Sequence, residues 1–424
     1  MKRYDIKLDN KSIIDSINKD YVNRNNKLNK LIEILNIIDD NRVISIDGNW
    51  GSGKTIFAKQ LLLLNNTVDY DEITNKEKFD KKNIEEYQSK YITLYYNAWE
   101  YDFHTFPILS LIYNFLIKFP KYNNQLVVGE DNCPFDIVEF VKSITGNLYN
   151  INKTISYEDL CKEIEKAENT KNSFIKLLND IIPDGKRLLF IIDELDRCKP
   201  TYAVQLLEIV KHIFDNNNIT FIISTNNKEL CNVINNYYGN NFDSSGYLDK
   251  FYDLVINIDE IDNKLYLEKV LNIYDDNRYF SSVIYTIVTY FKITMRQINR
   301  IMNYIEMLNN YYNTTMNGVY KESIFLKYIV LPYCLVLKIV DNIKLDKLLK
   351  GEGFDELFSF VNNNSILKTI IAREYNIKES EENIKKTLLE EYDRFFINEM
   401  NYETSVIKRD FIDTFSLLGS RIIV

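Results

Sequence analysis

The sequence predicts an α/β fold: a parallel sheet covered by helices, followed by an all-helical carboxy-terminal part. Five short apolar runs, at Val43–Asp47, Tyr91–Tyr96, Leu188–Asp193, Ile219–Ser224 and Leu254–Ile258, alternate with segments of helical spacing. None shows the apolar/polar alternation of a strand with one wet face, which is the pattern of a doubly wound sheet buried on both sides. From Asp259 onward such runs stop and amphipathic helical patterns take over.

Each element follows from its residues. Lys11–Ile38 reads as helical, with Ile13, Ile14 and Ile17, then Leu28, Leu31, Ile32 and Leu35 on repeating faces. A glycine-rich turn follows the first run and opens a helix over Lys54–Leu64; the polar stretch Asn65–Lys90 reads as loop with one short helix. Between Asn97 and Arg187 the pattern is helical, most clearly at Tyr157–Ile182, with a loop or insertion at Asn123–Pro134. Pro200 suits the first turn of a helix over Thr201–Phe214. Further on, Tyr266–Ile273, Arg296–Leu308 and Glu381–Met400 are the clearest helices. The expected organisation is a core over residues 1–258 with a helical insertion around 97–187, then a helical lid over 259–424.

Composition narrows the classes. The 424 residues are 46% hydrophobic and 27% charged, a soluble globular balance. A surplus of Asn, Ile, Lys and Tyr reads as the bias of an AT-rich bacterial coding genome and carries no chemistry. The net charge of −9 argues against the whole surface binding nucleic acid, although a local basic groove remains compatible with it. Cys133, Cys161, Cys198, Cys231 and Cys334 are scattered without CxxC spacing, which fits a reducing, cytoplasmic compartment rather than zinc or a disulfide framework. The first ten residues lack an apolar signal region. Phe106–Phe119 is too short to span a bilayer and contains Asn114 and Lys118, so no membrane segment is expected.

The chemistry concentrates at two places. Gly48, Asn49, Trp50, Gly51, Ser52, Gly53, Lys54 and Thr55 fit GxxxxGK[ST], a Walker A loop, between an expected strand and an expected helix. Glycines let the backbone curl so that its N–H groups, on to Ile56 in the helix's first turn, face phosphates. Lys54 then neutralises the β- and γ-phosphates of ATP, and the Thr55 hydroxyl ligates Mg²⁺. The run Leu188–Asp193 continues into Glu194, the form of a Walker B strand. Asp193 is the expected Mg²⁺ ligand and Glu194 the carboxylate that polarises the attacking water. Asp196, a catalytic candidate beside Glu194, either tunes it or binds Arg197, and both readings stay open. Asn226, after the fourth run, is the candidate reporter of the γ-phosphate, with a turn-forming asparagine as the alternative. His104 and His212 share no ligand spacing.

A strand between the Walker A and Walker B strands resembles the additional-strand, catalytic-glutamate division of P-loop proteins, which implies the order 5-1-4-3-2. Over roughly Asp15–Leu308 the chain resembles the KAP family of P-loop NTPases. The resemblance rests on Gly48–Thr55 with its tryptophan, Asn97-Ala98-Trp99-Glu100-Tyr101, Ile192–Cys198 and Tyr247-Leu248-Asp249-Lys250-Phe251. It implies that Arg24 contacts the nucleotide and that Arg296 or Arg300 is a sensor arginine; a solvated surface arginine is the alternative for each. Arg296 opens a strongly periodic segment, from which a cation could reach the γ-phosphate and hold the lid closed. The chain departs from many relatives in lacking membrane helices between the Walker motifs, and in carrying Glu194 where aspartate is common.

The resemblance implies an ATPase switch or assembly ATPase in bacterial anti-phage defence, self-associating or working with a protein encoded nearby. A DNA-remodelling or loader-type ATPase and a non-hydrolysing nucleotide-gated scaffold are the competing readings. The resemblance implies ATP over GTP, and no guanine-reading NKxD stretch is present: Asn226-Asn227-Lys228-Glu229 approximates it with Glu in place of Asp.

Overall fold

Each of the five apolar runs forms a strand. They are β1 (Arg42–Asp47), β2 (Tyr91–Asn97), β3 (Arg187–Asp193), β4 (Ile219–Thr225) and β5 (Leu254–Asn257). The computed structural model describes residues 8–66, 78–104, 182–212, 218–258, 278–315 and 325–397, with isolated positions between them. All strand pairs are parallel, in the order β2-β3-β4-β1-β5. Read from the other edge this is 5-1-4-3-2, the order expected.

Helices cover both faces. On one lie α1 (Asn10–Lys19), α2 (Asn25–Ile37), α3 (Lys54–Asn66) and α4 (Lys81–Lys90): α3 packs on β2, β3 and β4, α1 on α3, and α4 on α2 and α3. On the other, α5 (Pro200–His212), α6 (Asn227–Tyr238) and α7 (Ser244–Asp249) share a core with alternate strand residues, among them Val43, Tyr96, Phe190 and Phe221. Ile44, Leu189, Ile191 and Ile222 alternate with these and are also fully buried, as a sheet between two helical layers requires.

The strand β5 departs from that expectation. It is an edge strand, and Leu254 and Val255 are 37% and 45% exposed, so burial on both faces holds for the inner strands and not here. The helical stretch Lys11–Ile38 also divides. Asp20 and Asn23 take left-handed backbone (φ 42° and 54°), and the Asp20 carboxylate accepts from the N–H groups of Arg24 (2.7 Å) and Asn25 (3.2 Å), starting α2. Tyr157–Ile182, Asn123–Pro134, Cys133, Cys161 and most of Phe106–Phe119 lie outside the described residues.

The chain divides into two compact units, Lys7–Glu260 and a second that includes Ile261–Val424. The second contains no strand among its described residues. Its helices include α8 (Arg278–Tyr290) and α9 (Met295–Thr315), which contains the expected Arg296–Leu308. The expected Glu381–Met400 helix is α-helical over Glu381–Tyr392 and widens to a π-turn at Asp393–Ile397; Tyr266–Leu267–Glu268 is helical, and the rest of both segments lies outside the described residues. Among the described residues no helix is long and apolar enough to cross a membrane.

Candidate nucleotide-binding site

Register brings the strand ends into one row. Asn97 lies opposite Asp193, Asp193 opposite Ser224, and Asp47 opposite Thr225. The turns leaving β1, β2, β3 and β4 therefore emerge together at the carboxyl edge, where open α/β sheets bind ligands.

The Walker A loop fills the space between β1 and α3. Gly48 donates to the Thr225 carbonyl (3.3 Å), and a Cβ there would lie 2.9 Å from Ser52 Oγ, so a larger residue would displace the Ser52 hydroxyl. Gly51 and Gly53 flank Ser52 with φ of 79° and 88°, a region that residues with a side chain seldom enter. The first intrahelical bond visible at the start of α3 runs from Phe57 N–H to the Gly53 carbonyl, so the preceding N–H groups, those of Thr55 and Ile56 among them, are left for an anion. The Ser52 hydroxyl is buried without a hydrogen-bond partner, and together with the glycine cradle it suits phosphate oxygens.

Lys54 lies within this cradle. Its Nζ donates to the Gly48 and Asn49 carbonyls, and burial pulls its pKa down, opposed chiefly by the charges of Asp196, Asp193 and Asp47. Arg24, buried at the start of α2, donates its guanidinium to the Ser52 carbonyl. It holds the loop from outside.

At the end of β3, Asp193 is 1% exposed and both of its oxygens are held. Tyr95 O–H donates to Oδ2 (2.8 Å) and Glu194 N–H to Oδ1 (3.0 Å). Burial, reinforced by the Asp193 charge, drives the Tyr95 pKa far up, so it remains a donor. The oxygen donors Thr55 and Asp193 are of the hard type that Mg²⁺ selects alongside water and phosphate.

Glu194 stands in left-handed backbone (φ 61°, ψ 29°), a conformation that costs about 1–2 kcal/mol for a residue with a Cβ. Its N–H also meets the Ser224 carbonyl (3.2 Å), while its carboxylate accepts from Asn97 Nδ2 (3.3 Å) and Arg197 Nη1 (2.8 Å). Loss of water raises its pKa, with Arg197 opposing. The Arg197 guanidinium also lies over the Trp99 ring, 5.5 Å from its centre.

Several expected site residues meet particular partners in the structure. Arg197 pairs with Glu194 rather than Asp196, and the buried Asp196 carboxylate instead accepts from the Trp50 indole N–H. The Asp196 charge also adds to the upward pull on the Glu194 pKa, as one of the two open readings has it, while the Trp50 contact belongs to neither. Asn226 caps α6, its side chain accepting from Glu229 N–H (3.4 Å), which is the turn-forming role. Arg296 and Arg300 are exposed on α9, in the second unit. Tyr95 and Asn97 were not among the candidate site residues. Their signal was positional: a phenol and an amide near the carboxyl end of the strand beside the Walker B strand.

The fold and this site define a P-loop NTPase domain. The model of the KAP family P-loop domain matches residues 24–312, well over half of the chain. The chain belongs to the KAP family of P-loop NTPases. No curated protein matches it.

Proposed function

We propose that this chain binds ATP with Mg²⁺ and hydrolyses it, serving as a nucleotide-dependent switch or assembly ATPase. The observation that carries hydrolysis is Glu194: a residue on left-handed backbone directly after the buried Asp193, its carboxylate gripped by Asn97 and Arg197. Strain and partial desolvation at one residue are the marks of a group positioned for chemistry rather than packing.

In this reading the Walker A N–H groups, Lys54 and the Ser52 hydroxyl bind and orient the phosphates. Thr55 and Asp193 would hold Mg²⁺, which would supply positive charge against the phosphates. Tyr95 fixes the Asp193 carboxylate. Glu194 takes the proton of the water that attacks the γ-phosphorus as the bond to the β–γ bridging oxygen breaks, and ADP and phosphate leave.

The test is phosphate release from purified protein with ATP and with GTP, alongside binding competition between them. Turnover with ATP, and preference for it, support the proposal; nucleotide binding without phosphate release makes the chain a nucleotide-gated scaffold. The defence role rests on the family resemblance. It expects phage plating to fall on cells expressing the wild type and to recover with Lys54→Ala.

A further inference from the structure

Among the carboxylates near the carboxyl edge of the sheet, three of those in the expected site or beside it have partners that suit their roles. Asp47 caps the Asn227 N–H (2.8 Å), Asp193 is held by Tyr95, and Glu194 by Asn97 and Arg197. Asp196 is different. It is 5% exposed, and its carboxylate is engaged by the indole N–H of Trp50, 146 residues away in sequence and 47% exposed.

The Walker A loop needs such a contact. Between Gly48 and Gly53 the backbone is held by a turn, Ser52 N–H donating to the Asn49 carbonyl (3.1 Å) across Trp50 and Gly51, and glycine at Gly51 and Gly53 leaves other conformations open to it. An indole N–H can only donate, so an ionised acceptor is its strongest anchor. Asp196 lies in the short turn Leu195–Arg197 directly after Glu194. The bond therefore ties the phosphate loop to the turn that carries the catalytic carboxylate.

We infer that Asp196 is a positioning residue, which through Trp50 holds the Walker A loop in its phosphate-binding shape, and that it takes no proton in the reaction. This rests on the proposed reading of the loop as the nucleotide site. Lys54 and Arg24 act on the same loop at Gly48, Asn49 and Ser52, and the Trp50 contact ties the turn between Asn49 and Ser52 to the residues that follow β3.

The test is a double-mutant cycle on nucleotide affinity, with Trp50→Phe, Asp196→Ala, their combination and Asp196→Asn, each measured by calorimetry with ATP and Mg²⁺. Trp50→Phe keeps an aromatic ring and removes only the donor, so it separates the bond from the packing. Each of the first two variants should weaken binding about tenfold, the loss expected when a charge-assisted bond that pre-orders a loop is removed. Their combination should be no weaker than either alone. Asp196→Asn, whose amide oxygen accepts the same bond, should stay within about threefold of wild type in affinity and in turnover at saturating ATP.

Additive losses in the cycle overturn the inference. So does an Asp196→Asn variant that binds as wild type but no longer turns over, which would make Asp196 a catalytic acid or base. A wild type that binds no nucleotide is a distinct outcome, because it removes the nucleotide-site reading itself and the inference with it. Thermal denaturation without nucleotide accompanies each variant, and an affinity loss matched by a lost folding transition counts against the inference.

Discussion

Replacing Glu194 by Gln keeps size, shape and strained backbone and removes only the charge. If Glu194 is the general base, turnover falls by roughly 10²–10⁴, equivalent to about 2.7–5.4 kcal/mol of transition-state stabilisation. Nucleotide affinity changes little, because the phosphates are held by the Walker A loop and Lys54. Stability moves the other way. The Glu194 pKa lies above its ordinary value of 4.5, so the folded chain holds this proton more tightly than the unfolded chain does. The ionised carboxylate therefore costs folding free energy, a cost that grows as pH rises through the interval above 4.5 and is then constant. The variant lacks that cost. It should be at least as stable as wild type at neutral pH, with the advantage vanishing below pH 4.5. Single-turnover phosphate release, calorimetry and chemical denaturation at neutral and acidic pH measure the three quantities. Unchanged turnover, a shift of more than about tenfold in affinity, or a variant less stable at neutral pH would refute the assignment.

Three further outcomes follow from the site. Lys54→Ala should abolish ATP binding in calorimetry, since it removes the cation within the phosphate cradle; retained affinity would sink the loop assignment. Arg24→Ala removes a buried charged donor from the Ser52 carbonyl and should lower ATP affinity about tenfold, with a fall in melting temperature, whereas equal affinity would make Arg24 a helix residue alone. If Arg296 senses nucleotide, hydrogen exchange across 259–308 should be slowed by ATP in wild type and not in Arg296→Ala; exchange indifferent to ATP leaves Arg296 an exposed side chain.

The parts of this fold legible in the sequence were those written in local pattern. Apolar runs such as Leu188–Asp193 declare buried strands, and the Walker A loop declares itself through glycines whose φ values no other residue adopts easily. The break between α1 and α2 was missed because the segments on either side both carry helical spacing, and the residues between Ile17 and Leu28, which include no leucine or isoleucine, were read into one helix. In the structure the stop is marked by left-handed backbone at Asp20 and Asn23 and by the Asp20 side chain, which accepts from the N–H groups of Arg24 and Asn25. The exposure of β5 was missed because a short apolar run looks the same at an edge as at the centre of a sheet. Site pairings such as Trp50 with Asp196 and Tyr95 with Asp193 join residues remote in sequence. Their types announce donors and acceptors, but only the strand order brings them together.

The family match begins at Arg24, yet α1 lies before it and is built into the domain. Ile13 and Ile17 are 1% exposed, Ser16 Oγ accepts from the amide of Gln60 in α3 (2.9 Å), and the Ile17 carbonyl accepts from Asn25 (2.7 Å). A chain trimmed to that boundary would keep every recognisable motif and still lose the brace behind the phosphate-binding helix. It would also lose Asp20, whose carboxylate sets the backbone of Arg24. The functional module is thus larger than its signature, and its working edge lies at or before Asp9, whose side chain caps α1.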